Sequence, residues 1–217
     1  MQILILFGPP GSGKGTQVNK IIQYYPNSIS ISTGDILREN IKNNTELGKL
    51  ANNYICKGLL VPDEIINSMI ENKFNQIQNN NIKFIILDGY PRSINQLYFL
   101  LKLIPKDVIK TIYLKIDLQE VIKRITYRRI CPNCNKIYHL IYNKPKNNET
   151  CDNCNTKLIQ REDDKEEVVV NRFNVYNSQT LPIINEIIKN NMKLLEINAN
   201  QDIETIFNII IKYLENS

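Results

Sequence analysis

The segment Gly8-Pro9-Pro10-Gly11-Ser12-Gly13-Lys14-Gly15-Thr16 decides the fold of this 217-residue chain. It follows the apolar run 2–7 and precedes a stretch with helical periodicity, which is the context of a phosphate-binding loop. In such a loop, glycines let successive backbone N–H groups face one anion, and the lysine reaches the β and γ phosphates. The general pattern has Ser or Thr directly after the lysine, whereas Gly15 intervenes here before Thr16. The strand–loop–helix context favours a phosphate loop over a merely structural glycine-rich turn.

Short β-branched runs alternate with helical patterns along the whole chain, which predicts a parallel sheet with crossover helices. The runs that are apolar enough for buried parallel strands lie at 2–7, 28–32, 83–88, 111–116 and 192–197. Helices are expected at 13–25, 34–42, 46–56, 63–78, 94–103, 118–129, 163–189 and 202–214. The predicted fold class is therefore α/β, with a five-stranded parallel sheet flanked by helices.

The composition is that of an ordinary globular protein, with 42% hydrophobic and 23% charged residues. No apolar run approaches the roughly 18 residues of a transmembrane helix. The apolar start, residues 1–7, has no basic segment and no small-residue cleavage site, which favours a buried strand over a signal peptide. Residue Gln2 excludes amino-terminal myristoylation, which requires glycine at that position. We therefore expect a cytoplasmic protein without membrane contact.

The net charge of +5 indicates an anionic partner, either a nucleic acid or a polyanionic small molecule. Lysine is abundant nearly everywhere, whereas arginine is rare. Because a guanidinium can grip a phosphate through two parallel hydrogen bonds, the arginines are the more informative cations. They stand at positions 38, 92, 124, 128, 129, 161 and 172.

An acidic residue ends one of the predicted strands. The run 83–88 is apolar except for its first residue and its last residue, Asp88. In enzymes with a phosphate loop, such an aspartate lies beside the Mg²⁺ that accompanies the nucleotide. The combination of this strand with the loop makes Asp88 a candidate catalytic residue.

Four cysteines have the spacing of a metal site. Cys131 and Cys134 form one C-x2-C pair, Cys151 and Cys154 form another, and sixteen residues separate the pairs. This spacing is typical of a four-cysteine zinc ribbon, and four protein ligands leave no open position, so the zinc would be structural. Iron could occupy the same thiolates in preparation. A pair of disulfides is the alternative, which a cytosolic location disfavours.

Two further residues near these pairs have simpler interpretations. Cys56 lies in a helical pattern and is expected to be a small core residue. His139 follows Tyr138, and its spacing does not extend the ribbon, so we expect it not to bind the metal.

The chain resembles the adenylate kinase family, in its long form with a four-cysteine zinc-binding lid, over essentially its whole length. Five motifs carry the resemblance in the family's order: the loop 8–16, the segments 32–38, 88–92 and 124–129, and the segment 161–164 together with Arg172. One such motif could mislead, but five in sequence are very specific.

The resemblance implies a role for each matching position. ATP would be bound by Gly11, Ser12, Gly13, Lys14, Gly15, Thr16, Arg128, Ile137, Tyr138 and Gln201. AMP would be bound by Thr33, Arg38, Leu59, Leu60, Val61, Gly89, Tyr90, Pro91, Arg92, Gln96, Arg161 and Arg172. The catalytic set would be Lys14, Asp88, Arg92, Arg124, Arg128, Arg161 and Arg172. Arg124, Arg161 and Arg172 would surround the transferring phosphate, and Asp163 and Asp164 would help close the lid. Arg129 has no assigned role.

The resemblance also implies a single adenylate-kinase-like domain in three parts. The core would comprise 1–32, 62–122 and 163–217. The segment 33–61, here called the insertion, would bind AMP, and the segment 123–162, here called the lid, would hold zinc. Both would close over the substrates and exclude water. The family's usual state is a monomer.

The implied activity is reversible, Mg²⁺-dependent phosphoryl transfer from ATP to AMP, giving two ADP. Thr33 and Gln96 favour AMP, since the related pyrimidine nucleotide kinases usually have alanine and asparagine there. The family often has lysine where Gln201 stands, so GTP stays open as a donor. A phosphate with a second pKa of about 6 is mainly dianionic at pH 7 and needs no general base. A chain with a single histidine fits that chemistry.

Three rival interpretations remain at this point. The first is a kinase for UMP, CMP or a deoxynucleotide, which the acceptor profile would reveal. The second is a nucleic-acid-binding protein that uses its zinc ribbon, which a salt-dependent shift with DNA or RNA would reveal. The third is a non-catalytic nucleotide sensor, which would require the loss of an essential cation. We expect small-molecule partners only, namely ATP, AMP and ADP, and no nucleic acid.

Overall fold

The computed structural model describes residues 1–77, 81–147 and 149–216. Its strands are β1 (Gln2–Phe7), β2 (Ser28–Ser32), β3 (Phe84–Asp88), β4 (Ile109–Lys115), β5 (Arg128–Ile130), β6 (Ile137–His139) and β7 (Lys193–Asn198). The described residues form one five-stranded parallel sheet in the order β2-β3-β1-β4-β7 and a two-stranded antiparallel sheet of β5 and β6. The predicted α/β class and its five-stranded parallel sheet are confirmed.

The helices are α1 (Lys14–Tyr24), α2 (Thr33–Lys42), α3 (Glu46–Ile55), α4 (Asp63–Asn75), α5 (Ile94–Leu103), α6 (Leu118–Thr126), α7 (Glu166–Val175), α8 (Pro182–Lys189) and α9 (Ile203–Glu215). Side chains that accept a hydrogen bond from the first turn cap several of them, as Ser32, Ser93 and Asp202 do. Within the described ranges, no helix combines the length and apolar character needed to cross a membrane.

Two predicted helices end differently in the structure. The helix expected over 118–129 ends at Thr126, because residues Arg128–Ile130 pair with β6 instead. The helix expected over 163–189 is divided into a 3₁₀ turn (Glu162–Asp164), α7, a π turn (Tyr176–Thr180) and α8. Pro182 begins α8, and a proline cannot supply the N–H that a continuous helix needs. The irregular turn therefore accommodates the proline.

A few predicted residues lie outside the described part of the chain. The helix expected over 63–78 ends at Asn75, and Gln78 is not among the described residues. The same holds for Asn148 in the lid and for Ser217 at the end of the core.

The sheet separates two hydrophobic layers. Along β1, Ile3 and Ile5 face one layer and Leu4 and Leu6 face the other, as the alternation of a strand requires. The first layer is covered chiefly by α4, α5 and α8, and the second by α1, α6 and α9. All four of these β1 side chains are buried, and burying one aliphatic side chain contributes about 1.5–3 kcal/mol. The expectation that the apolar start is a buried strand is thus confirmed.

The lid has a small core of its own, built from Cys131, Tyr138, Cys151 and Leu158. So few apolar residues bury little surface, and a segment of this kind ordinarily needs a metal or a disulfide for stability.

Cys56 is exposed at the carboxyl end of α3. The expectation of a core position was therefore wrong. The helix buries Gly48 and Ala51 instead, and Cys56 follows its last residue, Ile55.

Candidate active site

The phosphate loop connects β1 to α1 at the carboxyl edge of the sheet. Gly13 precedes the helix with φ 95°, a left-handed conformation that disfavours any side chain even though a Cβ there would meet no atom within 4 Å. At Gly11, with φ 76°, a Cβ would lie 2.8 Å from Cγ1 of Ile125. The loop therefore requires glycine at both positions and ends at a helix amino terminus, where anions are stabilised.

Lys14 is folded over the loop. Its Nζ donates hydrogen bonds to the carbonyl oxygens of Gly8 and Pro9, each at 2.9 Å, and to Oγ of Ser12 at 3.3 Å. Burial lowers the pKa of Lys14 to about 7, opposed by the carboxylate of Asp88. The positive charges of nearby arginines lower the pKa of Lys14 further, which indicates that several cations lie close to the loop.

Asp88, the last residue of β3, lies beside this loop. It pairs in register with Leu6 of β1 and with Ser32 of β2. Its Oδ2 lies 3.8 Å from the point where Gly15 would carry a Cβ. A carboxylate oxygen is the ligand that Mg²⁺ prefers, so this side chain fits the expected ion.

Two buried aspartates hold two of the arginines. Arg128 donates from Nε to Oδ2 of Asp164 at 2.9 Å and from Nη2 to Oδ1. Nη1 of Arg172 lies 2.7 Å from the carbonyl oxygen and 2.9 Å from Oδ2 of Asp163. Burial alone would raise the pKa of Asp163, yet the surrounding arginines, Arg172 first, hold it below its ordinary value. The two carboxylates thus orient guanidinium groups that would otherwise repel one another.

Two further arginines, Arg92 and Arg161, are buried close to other arginines, whose positive charges repel them. Burial, followed by repulsion from Arg172, lowers the pKa of Arg92 to about 10. Burial, followed by repulsion from Arg38 and Arg128, lowers the pKa of Arg161 to about 10. Nε of Arg161 is buried without a hydrogen-bond partner among the described residues. Buried cations of this kind are stabilised by an anion with several acceptor oxygens.

Arg124 has its contacts elsewhere. Its Nε donates to Glu120 at 2.9 Å and its Nη2 to the carbonyl oxygen of Ala199 at 2.8 Å. Gln201 lies on the same loop and donates from Nε2 to the carbonyl oxygen of Asn198 at 3.1 Å. A place for Arg124 at the transferring phosphate therefore stays a prediction.

Arg129, which had no predicted role, has a structural one. Its Nη1 donates to the carbonyl oxygens of Thr126 at 3.1 Å and Arg128 at 2.7 Å. A cation is favourable at the carboxyl end of α6, where helix carbonyls lack partners.

Two of the predicted AMP-binding residues contact Gly89, which directly follows β3. Oγ1 of Thr33 donates to the carbonyl oxygen of Gly89 at 2.9 Å, and Nε of Arg92 donates to the same oxygen at 2.8 Å. Tyr90 and Pro91 are joined by a cis peptide bond. Nη2 of Arg38 donates to Asp35 at 2.6 Å. At the end of the insertion, Leu59 is exposed, Leu60 is half-buried and Val61 is buried.

Gln96 belongs to a buried polar network. Its Oε1 accepts from the main-chain N–H of Arg92 at 2.7 Å, and its Nε2 donates to Oδ1 of Asp63 at 2.7 Å. Oγ of Ser93 donates to Oδ2 of Asp63 at 2.7 Å. Sequence reasoning missed Asp63, which is the first residue of α4.

The insertion and the lid are in contact. Nζ of Lys42, at the end of α2, donates to the carbonyl oxygen of Pro132 at 3.1 Å. Nδ2 of Asn171 on α7 donates to the carbonyl oxygen of Lys57 at the other end of the insertion. Neither contact has a local sequence signal, because 90 and 114 residues separate the partners.

The four predicted metal ligands converge in the lid. All four Sγ atoms lie within 4.8 Å of one another. Cys131 and Cys154 are 3.3 Å apart, Cys134 and Cys151 are 3.5 Å apart, and Cys134 and Cys154 are 3.7 Å apart. Zinc–sulfur bonds of about 2.3 Å in a tetrahedron place sulfurs about 3.8 Å apart. The thiol cluster therefore fits a zinc ion.

The two C-x2-C turns repeat the same geometry. The residue after each pair, Asn135 or Asn155, has a positive φ, 59° and 56° respectively, and donates its N–H to the carbonyl oxygen of the first cysteine of its own pair. Main-chain N–H groups also point at sulfur, from Cys134 to Cys131 at 3.5 Å and from Asn153 to Cys151 at 3.4 Å. Both turns thus aim thiols at one point, as a knuckle-type site requires.

Tyr138 and His139 contribute to the lid in different ways. Tyr138 is buried, and its hydroxyl lies 3.3 Å from Sγ of Cys151. Its side chain therefore supports the thiol cluster, so only its main chain is left to face a nucleotide. Nδ1 of His139 accepts from the N–H groups of Ile141 and Tyr142, which agrees with the expectation that it does not bind the metal.

Cations that converge on a phosphate loop from several elements serve a phosphoryl group whose charge must be stabilised during transfer. Lys14 comes from the loop, Arg92 from the segment after β3, and Arg128 from the lid. Both arginines lie close enough for their charges to lower the pKa of Lys14. This fold with this site defines a P-loop kinase.

Comparison with known proteins narrows the class. The sequence model described as adenylate kinase matches residues 6–192. A protein named adenylate kinase from Petrotoga mobilis is 45% identical over 214 residues, which cover 95% of this chain and 96% of the relative. Proteins of the same name from the aster yellows witches'-broom phytoplasma and from Archaeoglobus fulgidus are each 43% identical. Their matches cover 98% of this chain, and 98% and 97% of the relatives, respectively. The chain belongs to the adenylate kinase family, and its enzyme class is that of the ATP:AMP phosphotransferases.

Proposed function

We propose that the protein transfers the γ-phosphoryl group of MgATP to AMP, reversibly, with two ADP as products. The observation that carries this proposal is the positive charge of one site, in which Lys14 and a cluster of arginines lie close enough for their charges to interact. The cluster comprises Arg38, Arg92, Arg128, Arg161 and Arg172. MgATP and AMP together carry a charge of about −4, since terminal phosphates have a second pKa of about 6. The cluster, partly neutralised by its aspartates, supports binding of both.

The proposed reaction needs positioning more than proton transfer. AMP attacks through a phosphate oxygen that is already ionised at neutral pH, so no general base is required. Arg38 and Arg92 would hold the AMP phosphate, and Lys14, with Arg128, Arg161 and Arg172, would stabilise the charge on the transferring group. Arg124 is proposed as a further cation of the site. Holding the two phosphates in line can lower the barrier by about 7–11 kcal/mol.

The loop from Gly11 to Thr16 would bind the ATP phosphates. Mg²⁺, which Asp88 would hold beside the loop, neutralises charge on those phosphates when it is bound. The donor base would contact Ile137, Tyr138 and Gln201. ATP is the proposed donor, and the contact through the main chain of Gln201 does not depend on its side chain.

The acceptor base would lie against Leu59, Leu60 and Val61, with its edge on Gln96. The residues Gly89 to Arg92, together with Thr33, would line the phosphate and ribose side. A buried amide that has a defined donor and acceptor can read a base through two hydrogen bonds.

The lid and the insertion are proposed to close over the phosphates. Water competes with AMP for the phosphoryl group, so closure has a chemical purpose. Zinc on Cys131, Cys134, Cys151 and Cys154 would keep the lid rigid while it moves. The core (1–32, 62–122 and 163–217) would be the fixed part of a single domain. A cytoplasmic monomer that contacts neither membrane nor nucleic acid is proposed with it.

The test is nucleotide conversion with MgATP and AMP, CMP, UMP or GMP. We expect ADP to form fastest with AMP, and the Lys14→Ala variant to lose activity. Lys212→Ala, which removes an exposed lysine on α9, is the matched control and should behave as the parent. Faster turnover with another acceptor would show that this nucleotide, and not AMP, is the preferred acceptor. No turnover in folded, zinc-loaded protein would contradict the proposed function.

A further inference from the structure

We propose that Asp63 is a positioning residue that sets the base specificity of the acceptor site, by fixing the orientation of the Gln96 amide. This inference rests on the proposed function, in which Gln96 reads the acceptor base. Asp63 begins α4, outside the motifs that carry the resemblance to adenylate kinases.

The Gln96 side chain is enclosed by groups with fixed hydrogen-bonding character. Gln96 is 1% exposed. The main-chain N–H of Arg92, which can only donate, lies 2.7 Å from Oε1. A carboxylate oxygen of Asp63, which can only accept, lies 2.7 Å from Nε2. The orientation of the amide is therefore determined by its partners.

The opposite orientation of the amide would be unfavourable. Rotation by 180° would place the NH₂ group against the N–H of Arg92 and the carbonyl oxygen against the carboxylate of Asp63. Two buried hydrogen bonds would be lost and replaced by two repulsive contacts. Buried polar groups without partners are among the costliest features of a folded protein, so the observed orientation is the one that persists.

Asp63 is itself held from a second side. Its Oδ2 accepts from Oγ of Ser93 at 2.7 Å, and the same Oγ accepts from the main-chain N–H of Gln96 at 3.1 Å. The hydroxyl of Tyr90 donates to Oδ1 of Asn67 at 2.8 Å and lies 3.1 Å from the carbonyl oxygen of Gln96. The network thus joins α4 to the amino end of α5, and Asp63 is its only carboxylate among the described residues.

The fixed amide has one donor and one acceptor left. An amide NH₂ has two donors and an amide oxygen has two lone pairs. Among the described residues, each of these groups of Gln96 has one partner. One N–H and one lone pair remain, and their relative order is set by Asp63 together with the main-chain N–H of Arg92.

That order distinguishes classes of purine. Adenine presents an amino donor beside a ring-nitrogen acceptor, which complements the amide oxygen and the amide N–H. Purines with an oxygen at position 6, such as hypoxanthine and guanine, present an acceptor beside a ring N–H, which is the inverse pattern. An amide free to rotate would pair with either class, whereas one held by Asp63 pairs with adenine only. The specificity thus depends on a residue that need not touch the base.

The test compares AMP, IMP and GMP as acceptors in Asp63→Asn. The asparagine is nearly isosteric and can offer Gln96 either a donor or an acceptor, so only the main-chain N–H of Arg92 still restrains the orientation of the Gln96 amide. We expect kcat/KM for AMP to fall and kcat/KM for IMP and GMP to rise, so that the AMP:IMP ratio drops by on the order of tenfold or more. Glu64→Gln removes the same charge from the same helical turn, at an exposed position, and should keep the parent ratio.

The remaining outcomes are equally decisive. A parallel loss with all three acceptors, or an unchanged ratio in a folded Asp63→Asn variant, would overturn the inference. If that variant does not fold, Ser93→Ala is measured instead, because it removes one of the hydrogen bonds that hold Asp63. The AMP:IMP ratio must then also fall, and an unchanged ratio overturns the inference. A parent protein that does not prefer AMP would contradict the proposed function itself, which separates the two failures.

Discussion

Nζ of Lys42 donates a hydrogen bond to the main-chain carbonyl oxygen of Pro132, and this bond joins the insertion to the lid. Pro132 lies between Cys131 and Cys134, so the acceptor belongs to one of the two metal-binding turns. The thiol cluster that orders this turn therefore also positions a contact of the insertion.

Replacement of Lys42 by methionine should weaken the association of the two segments. An exposed hydrogen bond of this kind is worth about 0.5–1.5 kcal/mol, so we expect KM for AMP to rise by about three- to tenfold. Because opening becomes easier, kcat should stay equal or rise where product release limits the rate. Lys49→Met, on the same insertion but paired with Glu46, is the control in steady-state kinetics. Equal KM values in the two variants would show that the contact has no role in closure.

Removal of the metal should destabilise the lid. Metal analysis is expected to give about one zinc per chain, and structural zinc contributes on the order of 10 kcal/mol to ordering its segment. Cys151→Ser should abolish stoichiometric zinc and lower the thermal midpoint, whereas Cys56→Ser, at an exposed cysteine outside the cluster, should do neither. Protein with intact thiols, no metal and a midpoint insensitive to chelator would refute the zinc site.

The low pKa of Lys14 predicts that ATP binding takes up a proton. With a pKa of about 7 in the free protein, most molecules carry a neutral amine at pH 8. A triphosphate beside Nζ favours the charged form and raises the pKa, so the bound state holds more protons than the free state. Affinity for ATP should therefore fall with rising pH above 7, by up to about tenfold per pH unit. Calorimetry at pH 8 in buffers of different ionisation enthalpy measures the uptake directly.

Lys14→Arg provides the control for this titration, because arginine keeps its charge at both pH values. Its binding should take up no proton. Proton release, or no net transfer in the parent protein, would contradict the assignment of the low pKa to Lys14.

Asp164 is expected to be essential for the stability of the arginine cluster. Its side chain is 1% exposed and accepts two hydrogen bonds from Arg128. Breaking a buried ion pair by removing one partner costs about 3–5 kcal/mol, so urea unfolding of Asp164→Asn should show a loss of that size. Glu162→Gln, which pairs with the exposed Lys165, should change stability by about 1 kcal/mol or less. Similar losses of unfolding free energy in both variants would mean that the buried ion pair contributes no more stability than the exposed one.

Local patterns predicted the parts of the molecule that depend on local physics. The strand 2–7, the loop after it and the C-x2-C turns are short segments with their own periodicity or spacing, and each is found where it was expected. The end of α6 was misplaced, because Arg128–Ile130 forms a strand only through pairing with residues Ile137–His139. The sequence of the helix itself gives no indication of that pairing.

The least predictable features are contacts between distant residues. Asp63 and Gln96 are 33 residues apart on different helices, and the position of each in its own helix gives no indication of the contact between them. The exposure of Cys56 likewise depends on which face of α3 the core covers. Such relationships follow from tertiary packing, which a single sequence does not display.

The fate of the γ phosphorus of ATP tests most directly whether this chain moves a phosphoryl group from ATP to the phosphate of AMP. The protein would be incubated with Mg²⁺, AMP and ATP that carries a labelled γ phosphate. Label in the β position of ADP, formed by the parent protein and absent with Lys14→Ala, is the predicted result. Label found only in inorganic phosphate, or retained in ATP by folded and zinc-loaded protein, would contradict the claim.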